Sequence, residues 1–589
     1  MAETLISPGV FLNENDQSQI TAGPIAAGAA IVGPTVLGPV NNPTLVTSYS
    51  QYKQIFGSTF VSGGVTLEYL TSVAVLNYFN QGGSSLLVTR VASGSYTVAT
   101  ASIAALNGTQ AFQLNTLSVG TIMNNAITGS QTIGLNGAIP SGSSVNVRWE
   151  VVGYNSGSGT FTLNIRRGDD YENSKTVLES WSNLSLDPNQ GNFISYVIGD
   201  QYQTLAADPS TGTYYLQNTG SYTNKSKYVY VASVNTTPNY FSQTGIPQNQ
   251  FTASLPQSGS GSYNGGFGGA TGPFWGSYGL APLNMFESIP TVTSAYVTPT
   301  TNIQGVYGPD YDTAISLLGN QDTYDFNVIY APGITNQNAP SEINSLLQLS
   351  STRGDNISVI DLVGYNQQLS TVTSAATSFD NSYGATYWPW IQIKSSETGR
   401  MNFVPPSVLV PAVYEYNDKI AAEWWAPAGL NRGGLSTALQ PERRLSITDR
   451  NNLYAAKVNP IATFTGVGTV IYGQKTLQAK ASALDRVNVR RLLISLKRYI
   501  RQVGQTLVFE PNTQVTWNKF LNQVNPYLES VQQRQGLYAF QVIMDSTNNT
   551  PDQIDRNILV GSIYLQPTRV AEFIQLDFNI LPTGATFAQ

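Results

Sequence analysis

Cysteine and histidine are both missing from the 589 residues. The first absence rules out a disulfide framework and any thiol nucleophile. The two together remove the usual zinc ligands and the commonest general base, so no metal or cofactor is expected and an enzymatic role is not. Any chemistry would fall to carboxylates, Ser, Thr, Lys or Tyr. Charge is scarce too: Asp, Glu, Lys and Arg make up 11% of the chain, against roughly 25% in ordinary soluble domains. The net charge of -6 leaves no overall basic face for phosphate, which argues against direct nucleic-acid binding. Long apolar runs are also lacking. The most apolar early stretch, residues 22–40, is broken by Gly23, Pro24, Gly28, Gly33, Pro34, Gly38 and Pro39, so no membrane partner is expected. Residues 1–13 carry no basic-then-apolar leader, and the expectation is a protein made in the cytoplasm. No nucleophile elbow, phosphate-binding loop or dinucleotide fingerprint occurs, and residues 261–272 are merely Gly-rich.

What is present is material for burial. Hydrophobic residues are 41% of the chain and aromatics 11%, which is enough for a folded protein. Cores stop growing near roughly 250–300 residues, so this length implies three or four domains. Short apolar runs with Gly/Pro punctuation, Ala30-Ile31-Val32 and Leu45-Val46-Thr47, read as strands. Tyr69, Leu70, Val73, Leu76 and Phe79 have helical spacing before Gly82-Gly83, and Leu86-Leu87-Val88-Thr89 gives the next strand. Residues 101–300 hold fifteen charged side chains, against twenty-six in the shorter stretch from Gln440 onward, and this shift marks a separate domain. There Val145, Val147, Trp149 and Val151 lead through a Gly/Ser turn to Phe161, Leu163 and Ile165, a hairpin; Tyr228-Val229-Tyr230-Val231 adds a strand, and residues 258–279 read as a long surface loop.

From Tyr311 the strand and helix alternation returns. Phe326-Asn327-Val328-Ile329 forms a strand that Ala331-Pro332-Gly333 is expected to stop, and Ile357-Ser358-Val359-Ile360-Asp361 is a buried strand. Near the C-terminus Val489, Leu492, Leu493, Leu496, Ile500 and Val503 form one helical stripe, with Arg490, Arg491, Lys497, Arg498 and Arg501 on other faces and only Asp485 nearby in sequence. A second helix carries Trp517, Phe520, Leu521, Val524, Leu528 and Val531, with a kink expected at Pro526. Strands follow near residues 537–544, 558–565 and 572–580; in the last, Ile574, Leu576, Phe578 and Ile580 alternate with polar residues. The fold class is therefore α+β multidomain: a discontinuous α/β core (residues 21–100 and 301–475), an all-β insertion domain (101–300), an α+β C-terminal domain of two helices plus antiparallel strands (476–569), and extended terminal arms (1–20 and 570–589).

Three motifs have a sharper and a plainer reading. Arg353-Gly354-Asp355 spells an integrin-type tripeptide, but it directly precedes a buried strand and reads as a turn. Gly168-Asp169-Asp170-Tyr171-Glu172 groups three carboxylates; without the spacing of a calcium loop it reads as a solvated turn. Trp388, Trp390, Trp424 and Trp425 could form a carbohydrate platform, and core packing is the expectation.

The ordered motifs resemble the tail sheath family of contractile phages. Ser7-Pro8-Gly9-Val10, Ile31-Val32-Gly33, Phe56-Gly57, Tyr78-Phe79, Asp325-Phe326-Asn327, Tyr387-Trp388-Pro389-Trp390, Ala426-Pro427-Ala428-Gly429, Val489-Arg490-Arg491-Leu492, Phe509-Glu510-Pro511-Asn512 and Gln566-Pro567-Thr568-Arg569 occur in family order. Residues 101–300 match nothing, and Ala412-Val413-Tyr414-Glu415-Tyr416-Asn417-Asp418 departs from the loop usual there. The resemblance implies a subunit of the virion tail sheath, assembled in the host cytoplasm, that stacks as hexameric rings around a tail tube and contracts to drive the tube through the host envelope. The implied partners are further copies of the chain, the tail tube protein, and baseplate and tail-terminator proteins. It further implies that arms carrying Val10, Phe11 and Leu12, and Ile574, Leu576, Phe578 and Ile580, pair with neighbouring subunits, and that Arg490, Arg491, Lys497, Arg498 and Arg501 face an acidic tube. Insertions in the family decorate the outer surface. The competing readings are the sheath of a related contractile injection system, a tail spike binding host glycan, and a two-carboxylate glycosidase.

Overall fold

The computed structural model describes residues 25–62, 65–92, 96–127, 129–265, 306 and 310–572. The terminal arm residues Val10, Phe11, Leu12, Ile574, Leu576, Phe578 and Ile580 lie outside them.

Strand β1 (Ile25–Gly33) is a run of small apolar residues in which Ala29, Ala30, Ile31 and Val32 are fully buried. That is the pattern of a strand covered on both faces. The other strands of its sheet are β2 (Thr44–Val46), β3 (Leu86–Arg90), β4 (Tyr324–Thr335), β5 (Ile357–Asp361), β6 (Gly384–Trp388), β7 (Asn459–Phe464) and β8 (Gly468–Ile471). Eight strands lie in the order β2-β3-β1-β4-β5-β6-β7-β8. The strands from β3 across to β7 are parallel to their neighbours, while β2 and β8 close the two edges antiparallel. Ile25 pairs with Tyr324 and Ile31 with Tyr330, so the centre of the sheet joins chain segments that flank the insertion.

Helices cover both faces. Tyr52 and Phe56 of α1 (Tyr49–Phe56) and Leu70, Val73 and Tyr78 of α2 (Leu70–Asn80) pack under one face with Val328 and Tyr330. On the other, Ile343, Leu346 and Leu347 of α3 (Pro340–Arg353) pack with Phe326 and Trp388. Strand β4 does not stop at Ala331-Pro332-Gly333. It runs on to Thr335 with a register shift between Tyr330 and Thr335, because Pro332 has no N–H to give the ladder and pairing resumes at Thr335 with Asp361. Residues 412–418 are not a loop either: they lie in α4 (Val410–Ile420), with Pro411 in the first turn, where a missing N–H costs nothing.

The insertion is built of β-sheets with two four-residue helical turns, Ile194–Val197 and Asn249–Thr252. Val147–Asn155 and Thr160–Arg167 form the expected antiparallel hairpin. Phe112 and Phe161 stack across two of its sheets with centroids 5.4 Å apart. Residues 258–265, expected as loop, include two short strands, Gly259–Gly261 and Asn264–Gly265, at the edges of two sheets. Glycine makes that approach feasible: a Cβ on Gly261 would stand 2.7 Å from the Trp149 ring. Of the acidic turn, Asp169, Tyr171 and Glu172 are exposed as expected, and Asp170 is not. Asp170 is buried between Arg166, whose Nε donates at 2.8 Å, and Arg148 at 3.3 Å. Burial opposes ionisation of Glu172, but hydrogen bonds from Arg166, Lys175 and Ser260 bring its pKa down to about 2. Arg148 and Arg166 sit on the adjacent hairpin, in Val147–Asn155 and Thr160–Arg167, and tie Asp170 and Glu172 into one ion network.

The C-terminal domain contains α5 (Val487–Gln505), α6 (Gln514–Gln533, with Pro526 inside) and an antiparallel hairpin of Leu537–Ile543 and Ser562–Pro567. Leu492, Leu496 and Val503 of α5 pack against Trp517, Phe520, Val524 and Leu528 of α6. Among the described residues no helix is long and apolar enough to cross a membrane.

Candidate assembly surfaces

The basic residues of α5 are spent on the core domain. Arg491 is buried, and its guanidinium makes a two-pronged pair with Asp418 of α4, one hydrogen bond at 2.8 Å, while lying 4.7 Å from the Tyr414 ring centroid. Burial works against its charge, but Asp418 and Glu423 hold its pKa above the ordinary guanidinium value. Arg490 is also buried; it donates to the Ser382 carbonyl at 3.2 Å and stacks 4.0 Å above Tyr383. Arg498 meets Asp325 at 2.7 Å as an ion pair that lacks hydrogen-bond geometry. Arg501 reaches Asp355 at 3.5 Å, and Lys497 donates to the Tyr383 hydroxyl at 3.1 Å. Arg490 and Arg491 therefore face the interior of this chain, not an open surface, and only Lys497 and Arg501 of the five are exposed. Their partners Asp325, Asp355, Ser382, Tyr383 and Asp418 were invisible in the local sequence, where Asp485 stands nearest; Asp485 itself pairs with Arg486 at 2.9 Å.

A second ionisable group lies beneath. Glu415 of α4 is turned toward the Tyr78 hydroxyl, and burial, with help from Asp418, pushes its pKa up to about 7. Tyr387 and Tyr414 share a hydrogen bond at 2.5 Å in the same layer. The Arg353-Gly354-Asp355 tripeptide is internal: Arg353 donates to Asp355 at 2.9 Å and to the Tyr324 carbonyl at 2.7 Å, and Gly354 ends α3 in the left-handed region. Trp388, Trp390 and Trp424 are buried, so packing is their role.

The C-terminal domain also carries exposed apolar surface. The hairpin of Leu537–Ile543 and Ser562–Pro567 is a two-stranded sheet with both outer edges unpaired among the described residues, and Tyr538 and Tyr564 stand exposed on it. Phe509, in the turn between α5 and α6, is fully exposed with φ at 70° beside exposed Val508.

The described residues thus form a discontinuous α/β core, a β insertion and a C-terminal part whose hairpin edges are unpaired among the described residues. The phage tail sheath protein central domain matches residues 304–477, and the phage tail sheath C-terminal domain matches residues 479–580. These two domains make up just under half of the chain, and over them it resembles the phage tail sheath family. The tail sheath protein of Vibrio phage KVP40 is 38% identical over 190 residues, 32% of this chain and 28% of that one. The tail sheath protein of Enterobacteria phage T4 is 35% identical over 185 residues, 31% and 28%. Both matches span little more than a quarter of the relatives' own length. The crystal structure of a sheath tail protein from Listeria innocua aligns over 93% of this chain and 96% of its own, with a TM-score of 0.52 and 10% identity, a likeness of fold.

Proposed function

We propose that this chain polymerises helically, as stacked hexameric rings around a tail tube, and contracts to drive the tube through a host envelope. The observation that carries this reading is the open-edged C-terminal hairpin within a tail sheath domain. An unpaired strand edge is a template for a strand from another chain. Residues 572–580, with Ile574, Leu576, Phe578 and Ile580 alternating, and the arm at Val10-Phe11-Leu12 have the composition such a donated strand needs. Main-chain pairing of this kind links rigid domains while letting them rotate, which suits a rearrangement between two packings. Lys497 and Arg501, exposed on α5, are the residues left to meet an acidic tube surface, while Arg498 is paired with Asp325 and Arg490 and Arg491 hold the helix that presents them. The remaining partners are baseplate and tail-terminator proteins, and the place of action is the virion tail.

The test is deletion of residues 1–15. The truncated chain should stay folded and soluble but form no long tubes in negative-stain micrographs; long sheaths from the truncated chain would contradict strand donation by that arm.

A further inference from the structure

A cleft of about 1240 Å³ opens between the first core segment and the insertion, and no residue of the C-terminal domain lines it. It is larger than the roughly 300–1,000 Å³ of ordinary ligand sites. No described Asp or Glu lines it. Its two lysines are engaged within the chain, Lys53 with Glu397 at 3.5 Å and Lys227 with the Gln54 side-chain oxygen at 3.4 Å. A cation would be desolvated there with no carboxylate offered in return, while Lys53 is balanced by Glu397 and Lys227 meets only a neutral amide.

The lining consists of tyrosine, amide and hydroxyl side chains among short apolar stretches. Tyr202 and Tyr230 stack with centroids 4.8 Å apart. Tyr230 is buried and its hydroxyl accepts a hydrogen bond from Asn115 at 3.0 Å, so it braces Tyr202 from behind. Tyr202 and Tyr228 are half-buried and keep part of their rings open. Asn41 carries the second observation. It lines the cleft, is buried at 8% exposure, sits at φ 51° and is fixed by its N–H to the Arg90 carbonyl at 2.9 Å, yet its side-chain Oδ1 accepts no hydrogen bond. A buried amide oxygen left without a donor is a standing deficit that a ligand hydroxyl would relieve.

Aromatic faces for C–H surfaces and amides for hydroxyls are the complement of a sugar ring. We propose that this cleft binds a neutral oligosaccharide, with ring faces against Tyr202 and Tyr228 and hydroxyls bonded by Asn41 and Gln54. The site stands apart from the assembly surfaces, so it can fail while the sheath reading holds.

Saturation-transfer difference NMR on the full chain tests it, with maltotetraose and tetra-N-acetylchitotetraose as probes. Transfer to the ring protons of at least one probe is expected, with Tyr202→Ala/Tyr228→Ala weakening its binding about tenfold, the loss of one to two aromatic contacts. Tyr202→Phe should bind as the parent does. Gln54→Ala, at an exposed position of α1, should lose roughly threefold and serves if the double variant unfolds. No transfer from either probe, or binding unchanged both in Gln54→Ala and in a double variant whose melting matches the parent, would overturn the proposal.

Discussion

At the scale of single residues the molecule turns on a few charges taken out of water. Arg491 and Asp418 bind α5 to α4, and removing one partner strands the other. Arg491→Ala is expected to lower unfolding stability by about 3 kcal/mol, read by urea denaturation, because the breakage of a buried pair leaves an uncompensated charge. A loss no greater than that of an exposed pair would show that Asp418 is solvated. Asp361 is buried, and although the Ser407 hydroxyl and N–H both donate to it, burial raises its pKa to about 7. In the unfolded chain an aspartate titrates near about 4, so between the two values the folded state holds a proton the unfolded state has released. That contribution to stability is complete below the unfolded value and is lost as pH rises through about 7. Asp361→Asn should therefore narrow the stability difference between acidic and neutral buffer; an unchanged difference would exclude Asp361 as its source. None of this was legible in sequence, since Ser407 is far from Asp361 along the chain, and so is Asp418 from Arg491.

At the scale of elements, local periodicity served where the determinants are local. The apolar stripe of α5 and the alternation in Val147–Asn155 and Thr160–Arg167 were readable because each is a pattern of near neighbours. Strand β4 was cut short at Pro332 because a proline forbids one ladder bond, and what overrode it was a long-range pairing of Thr335 with Asp361. The basic face of α5 was readable as a face, but its partners Asp325, Asp355 and Asp418 come from three other elements. Gly354 caps α3 at φ 70°, and a Cβ there would meet the Tyr383 hydroxyl at an ordinary 3.5 Å. Gly354→Ala should therefore cost only the backbone penalty, about 1 kcal/mol in thermal or chemical unfolding. A much larger loss would point to a clash that this geometry does not contain. On α5, Lys497→Glu with Arg501→Glu is expected to leave the fold intact, since Asp355 keeps its closer partner Arg353 at 2.9 Å, while impairing assembly on tubes. Normal tube decoration in electron micrographs would reject the tube-facing role.

At the scale of the whole molecule, the core is closed by strands from both sides of an insertion. Val36, Leu37, Phe60, Leu67 and Tyr69 of the first core segment share their apolar cluster with that insertion, so the two are packed against one another and not merely tethered. This packing had no sequence signal. The C-terminal domain is fixed to the core by α5 and leaves its hairpin edges unpaired among the described residues. Open strand edges suit the chain to link with copies of itself. Negative-stain microscopy of the purified full chain, without tube or baseplate, tests it most directly. Long tubes or stacked rings are the predicted result; compact trimers or dispersed monomers at high concentration would contradict it.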